Sequence, residues 1–285
     1  MTMEARQSSY WDREKLYQLF KYTIYGLILV DVIFFMVEDF SASEHTFRNG
    51  VDLSNVGNAF SAFMDSVAWL ILLMIFELET YTLEDDQLND RRKLALNIGA
   101  VICYFFIILA FWGYCEKALM VYAFAETPIT DLCVLIRPDL SQNVSLVLDL
   151  DEYVPLSLEN CGTLVGQIYY QSDTFLYADQ GVLDGLKKLV LIDIVNGLTW
   201  LVIVIVLQIE VYLQLRGHLS SVMYKLNSII KIIAYGIIFL ACLYWGYLGD
   251  LIGFWDAILW LLAFIFIELN IFQWRQEEEQ ESANL

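Results

Sequence analysis

One residue pattern occurs three times in this chain, each time inside an apolar segment of membrane-helix length. The pattern reads [Asp/Asn]-x3-Trp-x7-[Glu/Gln]-x-[Glu/Asn]-x-[Tyr/Phe], and its copies begin at Asp65, Asn196 and Asp256. A spacing held over so many positions predicts an internal threefold repeat. Its polar residues would recur at fixed depths of a bilayer, where a carboxylate is costly and by default indicates a function.

The length of the apolar segments predicts the class of fold. A membrane-spanning helix needs about 20 mostly apolar residues, and 58% of the 285 residues are hydrophobic. We therefore predict an all-α polytopic membrane protein with six transmembrane helices, arranged as three tandem two-helix hairpins around a pseudo-threefold axis. The predicted spans are about 17–38, 59–80, 94–115, 189–213, 227–248 and 252–273.

The repeat divides the chain into three parts. We expect hairpin repeat 1 at 1–87, repeat 2 at 88–215 and repeat 3, which ends in an acidic tail, at 216–285. Repeat 2 carries a long insertion, about 116–186, between helices 3 and 4. Val-, Leu- and Tyr-rich pieces within it suggest a small folded cap with short strands.

The distribution of Lys and Arg predicts the orientation. With the six spans above, eleven basic residues fall on the side of both termini and five on the other side. Basic residues favour the cytoplasmic side, so both termini should be cytoplasmic and the cap extracytoplasmic, in a plasma or bacterial inner membrane. No cleavable signal peptide is evident, and the first helix should serve as its own anchor.

The predicted location of the cap suggests a disulfide. Cys133 and Cys161 both lie in the insertion, and cysteines in an oxidising compartment tend to pair. Asn143 begins an Asn-Val-Ser tripeptide on the side where glycosylation occurs, but this signal is weak because the tripeptide is common.

Residues four apart share a helix face, so each copy of the pattern predicts one polar stripe. In its outer half the stripe carries Asp65, Asn196 or Asp256. Asp31, in the first helix, should lie at a similar depth near the bilayer centre. No basic residue falls at that depth, so these groups are candidates for sharing a proton, binding a cation or lining a hydrated vestibule. The alternative is that they are protonated and only hold helices together.

The inner end of each stripe has a structural explanation. Lys21 should pair with Glu77, and Lys231 with Glu268, because repeat 2 lacks both the cation and the anion at the equivalent positions. The alternative is an inner ring that receives an ion and includes Glu79 and Glu210.

Three tryptophans occupy the level between these two layers. Trp69, Trp200 and Trp260 lie too deep for an interfacial aromatic belt. They are candidates for a hydrophobic or cation–π constriction, with core packing as the alternative.

Several classes of function are excluded by what the sequence lacks. It has only two histidines and none of the common catalytic, metal or nucleotide motifs, so we expect no enzyme, no metal site and no cofactor. A net charge of −19 excludes nucleic acid as a partner.

The first functional hypothesis is a cation channel or a cation or proton transport protein. Its partners would be the lipid bilayer and a monovalent cation or proton. The alternatives are a non-catalytic accessory or scaffold subunit of a membrane complex, and a membrane protein that binds a lipid or small ligand. Assembly as a homo-oligomer or with a membrane partner stays open. A water-accessible cavity at Asp65 and Asp256 would favour transport, and a dry, packed axis would favour the scaffold.

Overall fold

The computed structural model of the chain describes residues 3–78, 90–136, 144–215 and 220–283. It is mostly helical, with one small sheet between the fourth and fifth helices. The helices are α1 (Met3–Thr46), α2 (Val56–Ala59), α3 (Ser61–Glu77), α4 (Asp90–Tyr122), α5 (Gln180–Leu215), α6 (Ser221–Leu248) and α7 (Leu251–Ala283).

Five of these helices are long and apolar enough to cross a membrane: α1, α4, α5, α6 and α7. This indicates a membrane-embedded protein. Helix α3 has 17 residues and coincides with the second predicted span. The helix begins at Ser61, two residues later than the predicted start at about 59, because the chain leaves helical geometry at Phe60, between α2 and α3.

The long helices form a closed ring. Each packs against its neighbours in chain order, from α1 and α3 through α4, α5 and α6 to α7, and α7 packs against α1. A ring lets every helix bury one face toward a shared centre while the opposite face points outward.

Burial in the ring is inverted relative to a water-soluble protein. The outer faces expose large apolar side chains such as Phe34, Phe105 and Leu240, as lipid contact requires. Charged and polar side chains, by contrast, lie inside the ring. Lys21 is fully buried and Asp31 and Glu210 are buried as well. Such residues in membrane helices normally face the bundle interior.

The sheet lies between α4 and α5 in the sequence and has the order β1-β4-β5-β2-β3. Its strands are β1 (Ala125–Glu126), β2 (Ser145–Val147), β3 (Tyr153–Pro155), β4 (Ile168–Gln171) and β5 (Leu176–Asp179). Strands β2 and β5 are parallel and the other pairs are antiparallel. Below, "the cap" means residues 123–136 and 144–179, since α4 and α5 extend farther than the predicted spans.

Several contacts fix the cap to itself and to the helices. Cys133 and Cys161 form the predicted disulfide. Ser145 of β2 receives a hydrogen bond from Arg48, which follows α1, at 2.9 Å. Lys117 of α4 forms an ion pair with Asp151 of the cap, with 2.7 Å between Nζ and Oδ1. The cap is thus held over one end of the helix ring.

Candidate functional site

A cavity of about 190 Å³ lies inside the helix ring, beneath the cap. The cap residues Asp149 to Glu152 line one end and the three repeat tryptophans line the other. Along α7 the lining runs from Ile252 to Phe264, a length of about 18 Å at 1.5 Å per residue.

The cavity is strongly acidic. Eight carboxylate side chains line it, and among the described lining residues the one basic side chain is Lys117. The carboxylates belong to Glu38, Asp65, Asp149, Asp151, Glu152, Asp193, Asp250 and Asp256. Such an excess of one sign of charge in a concave site attracts ions of the opposite sign, so the site is suited to a cation.

The Asp-x3-Trp part of the repeated pattern forms a hydrogen bond within one helix. The indole Nε1 of Trp69 donates to Oδ1 of Asp65 at 2.9 Å. Trp260 likewise hydrogen-bonds to Asp256. Because residues four apart lie one above the other, this spacing satisfies the buried indole N–H and fixes the direction of the carboxylate.

The two repeated aspartates differ in how their second oxygen is used. Oδ2 of Asp65 accepts a hydrogen bond from the hydroxyl of Tyr114 at 3.3 Å. Oδ1 of Asp256 is buried and has no hydrogen-bond partner among the described residues, and the same holds for Oδ1 of Asn196. Both residues line the cavity, so two acceptor atoms there lack a protein donor.

The inner end of the cavity is an aromatic floor formed by Trp69, Trp200, Trp260 and Phe264. The ring of Trp69 lies 6.1 Å from that of Trp200 and 6.4 Å from that of Trp260, centroid to centroid. Phe264 lies 4.5 Å from Trp200. Below the floor the axis is filled by buried apolar side chains such as Leu73 and Ile203, so the cavity ends there.

The inner polar residues form two ion-pair groups. Lys21 contacts Glu77 in the repeat 1 hairpin. Lys231 lies 2.9 Å from Glu268 and 3.0 Å from Glu210. Each predicted Lys–Glu pair is therefore present. Glu210, which was predicted for an inner ring that receives an ion, shares Lys231 with Glu268.

Other candidates occupy different positions from those expected. Asp31 is buried, its Oδ2 has no hydrogen-bond partner among the described residues, and it does not line the cavity. It lies near enough to Asp256 to interact electrostatically. Glu79 and Asn143 lie outside the described residues. Of the outer group, the cavity thus brings together Asp65, Asn196 and Asp256.

The partners that α4 and α6 supply were not predicted from the sequence. Tyr114 lines the cavity, as does Trp245, whose indole donates to Asp193 at 3.3 Å. Both belong to a Trp-Gly-Tyr triplet that occurs in α4 and again in α6, one position out of register. That offset rotates the triplet by about 100°, so Tyr114 faces inward and Tyr247 is 82% exposed.

Lys117 and Asp250 were also missed, because both lie at helix ends beyond the predicted stripes. Asp250 caps α7, since its Oδ1 accepts the Gly253 N–H at 2.8 Å. Burial raises the pKa of Asp250 and the nearby Asp149 and Asp151 add to the rise, whereas the Gly253 hydrogen bond opposes it.

The carboxylates are spread along the cavity instead of converging on one point. Among the described residues, no three or more His, Cys, Asp or Glu side chains are grouped as metal ligands.

No family model matches the chain, and no curated protein or solved structure shows significant similarity to it.

Proposed function

We propose that this chain is an integral membrane protein that takes up a cation from the cap side as the first step of cation transport. The observation that carries this proposal is the cavity beneath the cap, with its eight carboxylates against one lysine. Its carboxylates include Asp65 and Asp256, the residues that the repeat singled out.

The proposal includes six membrane-spanning helices with threefold repeat symmetry. Helix α3 is about 26 Å long at 1.5 Å per residue, close to the hydrocarbon thickness of about 30 Å. It packs between α1 and α4, both of which qualify as membrane spans. The contact of Trp69 with both Trp200 and Trp260 supports the equivalence of the three copies.

The proposed orientation places the cap outside and both termini in the cytoplasm. The excess of Lys and Arg on the side of the termini supports it. The Cys133–Cys161 disulfide in the cap also supports it, because disulfides persist in oxidising compartments. A plasma or bacterial inner membrane fits both observations.

Transport would require the aromatic floor to move. In this conformation the cavity lies at the cap end of the ring, and the floor and the ion-pair layer lie between it and the other end. Such an arrangement fits a carrier in one of two alternating states, or a closed channel. The floor residues Trp69, Trp200, Trp260 and Phe264 would form the barrier.

A second candidate is a protein that binds a ligand in this cavity without transporting it, as an accessory or scaffold subunit would. The packed core below the floor favours this candidate. Binding without flux would distinguish it from a transporter.

The test is uptake of radioactive sodium and rubidium, together with proton flux, by liposomes that contain the purified protein. We expect flux above that of empty liposomes. The Asp65→Asn/Asp256→Asn variant should reduce it about tenfold or more, because interactions with a charged partner contribute about 1.5–3 kcal/mol each. Absence of flux for every ion, with folded protein in the liposomes, would contradict transport.

The matched control is Glu159→Gln/Asp173→Asn. It also removes two negative charges, but both residues are exposed in the cap and neither lines the cavity. It should leave flux within about twofold of the wild type, as expected for screened surface charges.

A further inference from the structure

The chemistry of the cavity narrows the class of cation. We propose that the ligand is a small monovalent organic ammonium ion, a protonated alkylamine, held between the Asp256 carboxylate and the aromatic floor. This inference rests on the proposed cation binding and specifies its substrate.

The carboxylates of the cavity are not arranged as a calcium site. Calcium takes six to eight oxygen ligands at about 2.3–2.6 Å, and no such grouping of acidic side chains exists among the described residues. Dispersed carboxylates create a diffuse negative field instead. A field of this kind suits a monovalent cation whose charge is carried by a larger organic molecule.

Two hydrogen-bond acceptors in the cavity wall are unused. Oδ1 of Asp256 and Oδ1 of Asn196 are buried in the cavity wall without a hydrogen-bond partner among the described residues. Leaving a buried acceptor unpaired costs about 1–3 kcal/mol. With a small movement of the two side chains, an ammonium group in the cavity would supply N–H donors for both atoms and a positive charge for the carboxylate.

The aromatic floor suits the organic part of such a cation. Indole is the best cation–π partner among the side chains, and three indoles line the inner end of this cavity. The N–H groups of Trp69 and Trp260 already bond to aspartates. These two indoles therefore offer a ligand apolar and π surface, which fits the alkyl part of an organic cation better than a hydrated metal ion.

Size is consistent with this class. An engineered apolar protein cavity of about 150 Å³ holds a benzene molecule. By this comparison, the cavity here, at about 190 Å³, has room for an alkylamine of about four carbon atoms.

The test is calorimetric titration of the purified full chain in detergent with n-butylammonium chloride. Potassium chloride serves as the inorganic comparator and 1-butanol as the uncharged one. We expect butylammonium to bind at least about tenfold more tightly than either comparator. Equal or tighter binding of potassium, or of butanol, would overturn the proposal.

Three variants assign binding to the proposed contacts. Asp256→Asn and Trp260→Leu should each weaken butylammonium binding about tenfold. Trp260→Phe, which keeps an aromatic face, should weaken it less than Trp260→Leu. Unchanged butylammonium binding in Asp256→Asn would overturn the proposal. This test does not depend on whether Trp260→Leu folds.

The results also separate this inference from the proposed function. Potassium or sodium binding that is lost in Asp65→Asn/Asp256→Asn, without preference for butylammonium, would reject the organic cation and keep cation binding. No binding of any cation by folded protein would reject both.

Discussion

At the scale of single residues, the charges at the inner end of the ring are paired. Lys21 is fully buried and its charge is matched by Glu77. The hydroxyls of Tyr22 and Tyr25 approach Glu77 at 3.3 and 3.5 Å. A buried ion pair contributes little net stability, yet loss of one partner leaves an uncompensated charge.

Lys21→Met should therefore destabilise the protein by about 3–5 kcal/mol. Lys21→Met/Glu77→Leu should recover most of that loss, since neither charge remains. Thermal unfolding in detergent measures both. If the double variant were as unstable as the single one, the pair would not account for the effect of Lys21.

Gly113 is a second residue with a specific steric role. A Cβ atom there would lie 2.0 Å from the backbone oxygen of Gly57, far inside contact distance. Gly113→Ala should therefore separate α4 from α2 and lower stability by about 1–3 kcal/mol, the usual cost of overpacking. Thermal unfolding should show a lower midpoint.

Gly26→Ala is the matched control for Gly113→Ala. Its added Cβ would meet nothing within 4 Å, and alanine is the better helix former by about 0.5–1 kcal/mol. Its midpoint should stay equal or rise. A fall as large as that of Gly113→Ala would mean that the helix interior tolerates no substitution of this kind, whatever the space.

At the scale of elements, the cap is a small sheet with its own apolar cluster, which includes Leu132, Leu146 and Ile168. The disulfide joins the 3-10 helix Leu132–Leu135 to the segment before β4. The ion pair of Lys117 with Asp151 then fixes the β2–β3 turn above the cavity.

Cys133→Ser/Cys161→Ser should destabilise the cap. The two cysteines are 28 residues apart, and closing a loop of that size contributes about 3.5 kcal/mol. Hydrogen exchange should accelerate in β2, β3 and β4 and remain slow in α5 and α6. Equal acceleration in the helices would show that the cap and the ring unfold as one unit.

At the scale of the whole molecule, the acidic cavity links stability to pH. Because burial raises the pKa of Asp250 above its ordinary value of 3.8, the folded chain binds a proton there more readily than the unfolded chain. Its contribution to stability is therefore fully present below the ordinary value and is lost as the pH rises through the raised value.

Asp250→Asn should thus gain stability relative to the wild type as the pH rises from about 4 to about 8. Asparagine also caps a helix N-terminus, so the contact with Gly253 is retained. Thermal midpoints of both proteins across this range provide the measurement. A constant difference between them would exclude Asp250 as a titrating group in that interval.

The sequence predicted those features that depend on spacing along a helix and on depth in the membrane. The stripe of Asp65, Trp69 and Glu77 follows from a four-residue step, and the Lys–Glu pairs follow from equal depth on adjacent helices. It did not predict features that depend on rotation of one helix against another. Tyr114 and Trp245 belong to two copies of the same Trp-Gly-Tyr triplet. Only the packing of α4 and α6 determines which residue of each copy faces the cavity.

The ends of the helices were predicted least well for a related reason. Lys117 and Asp250 lie where apolar character fades, and a hydropathy pattern carries no information about where helices end in water. Their partners, Asp151 and the Gly253 N–H, are set by cap folding and by helix capping. For Asp31, the position along α1 indicated a depth in the membrane. It did not indicate the direction of the side chain, which does not line the cavity.

The closure of the ring has a consequence for biosynthesis. Phe266 of α7 packs edge-on against Tyr17 and Phe20 of α1, at 5.5 and 5.7 Å between ring centroids. The ribosome makes α1 first among the described helices and α7 last. During synthesis, one flank of α1 therefore lacks its partner until every other helix has been inserted. A nascent chain that stalls before α7 leaves both α1 and α6 with an uncovered side, which quality-control proteases of the membrane could recognise as incomplete.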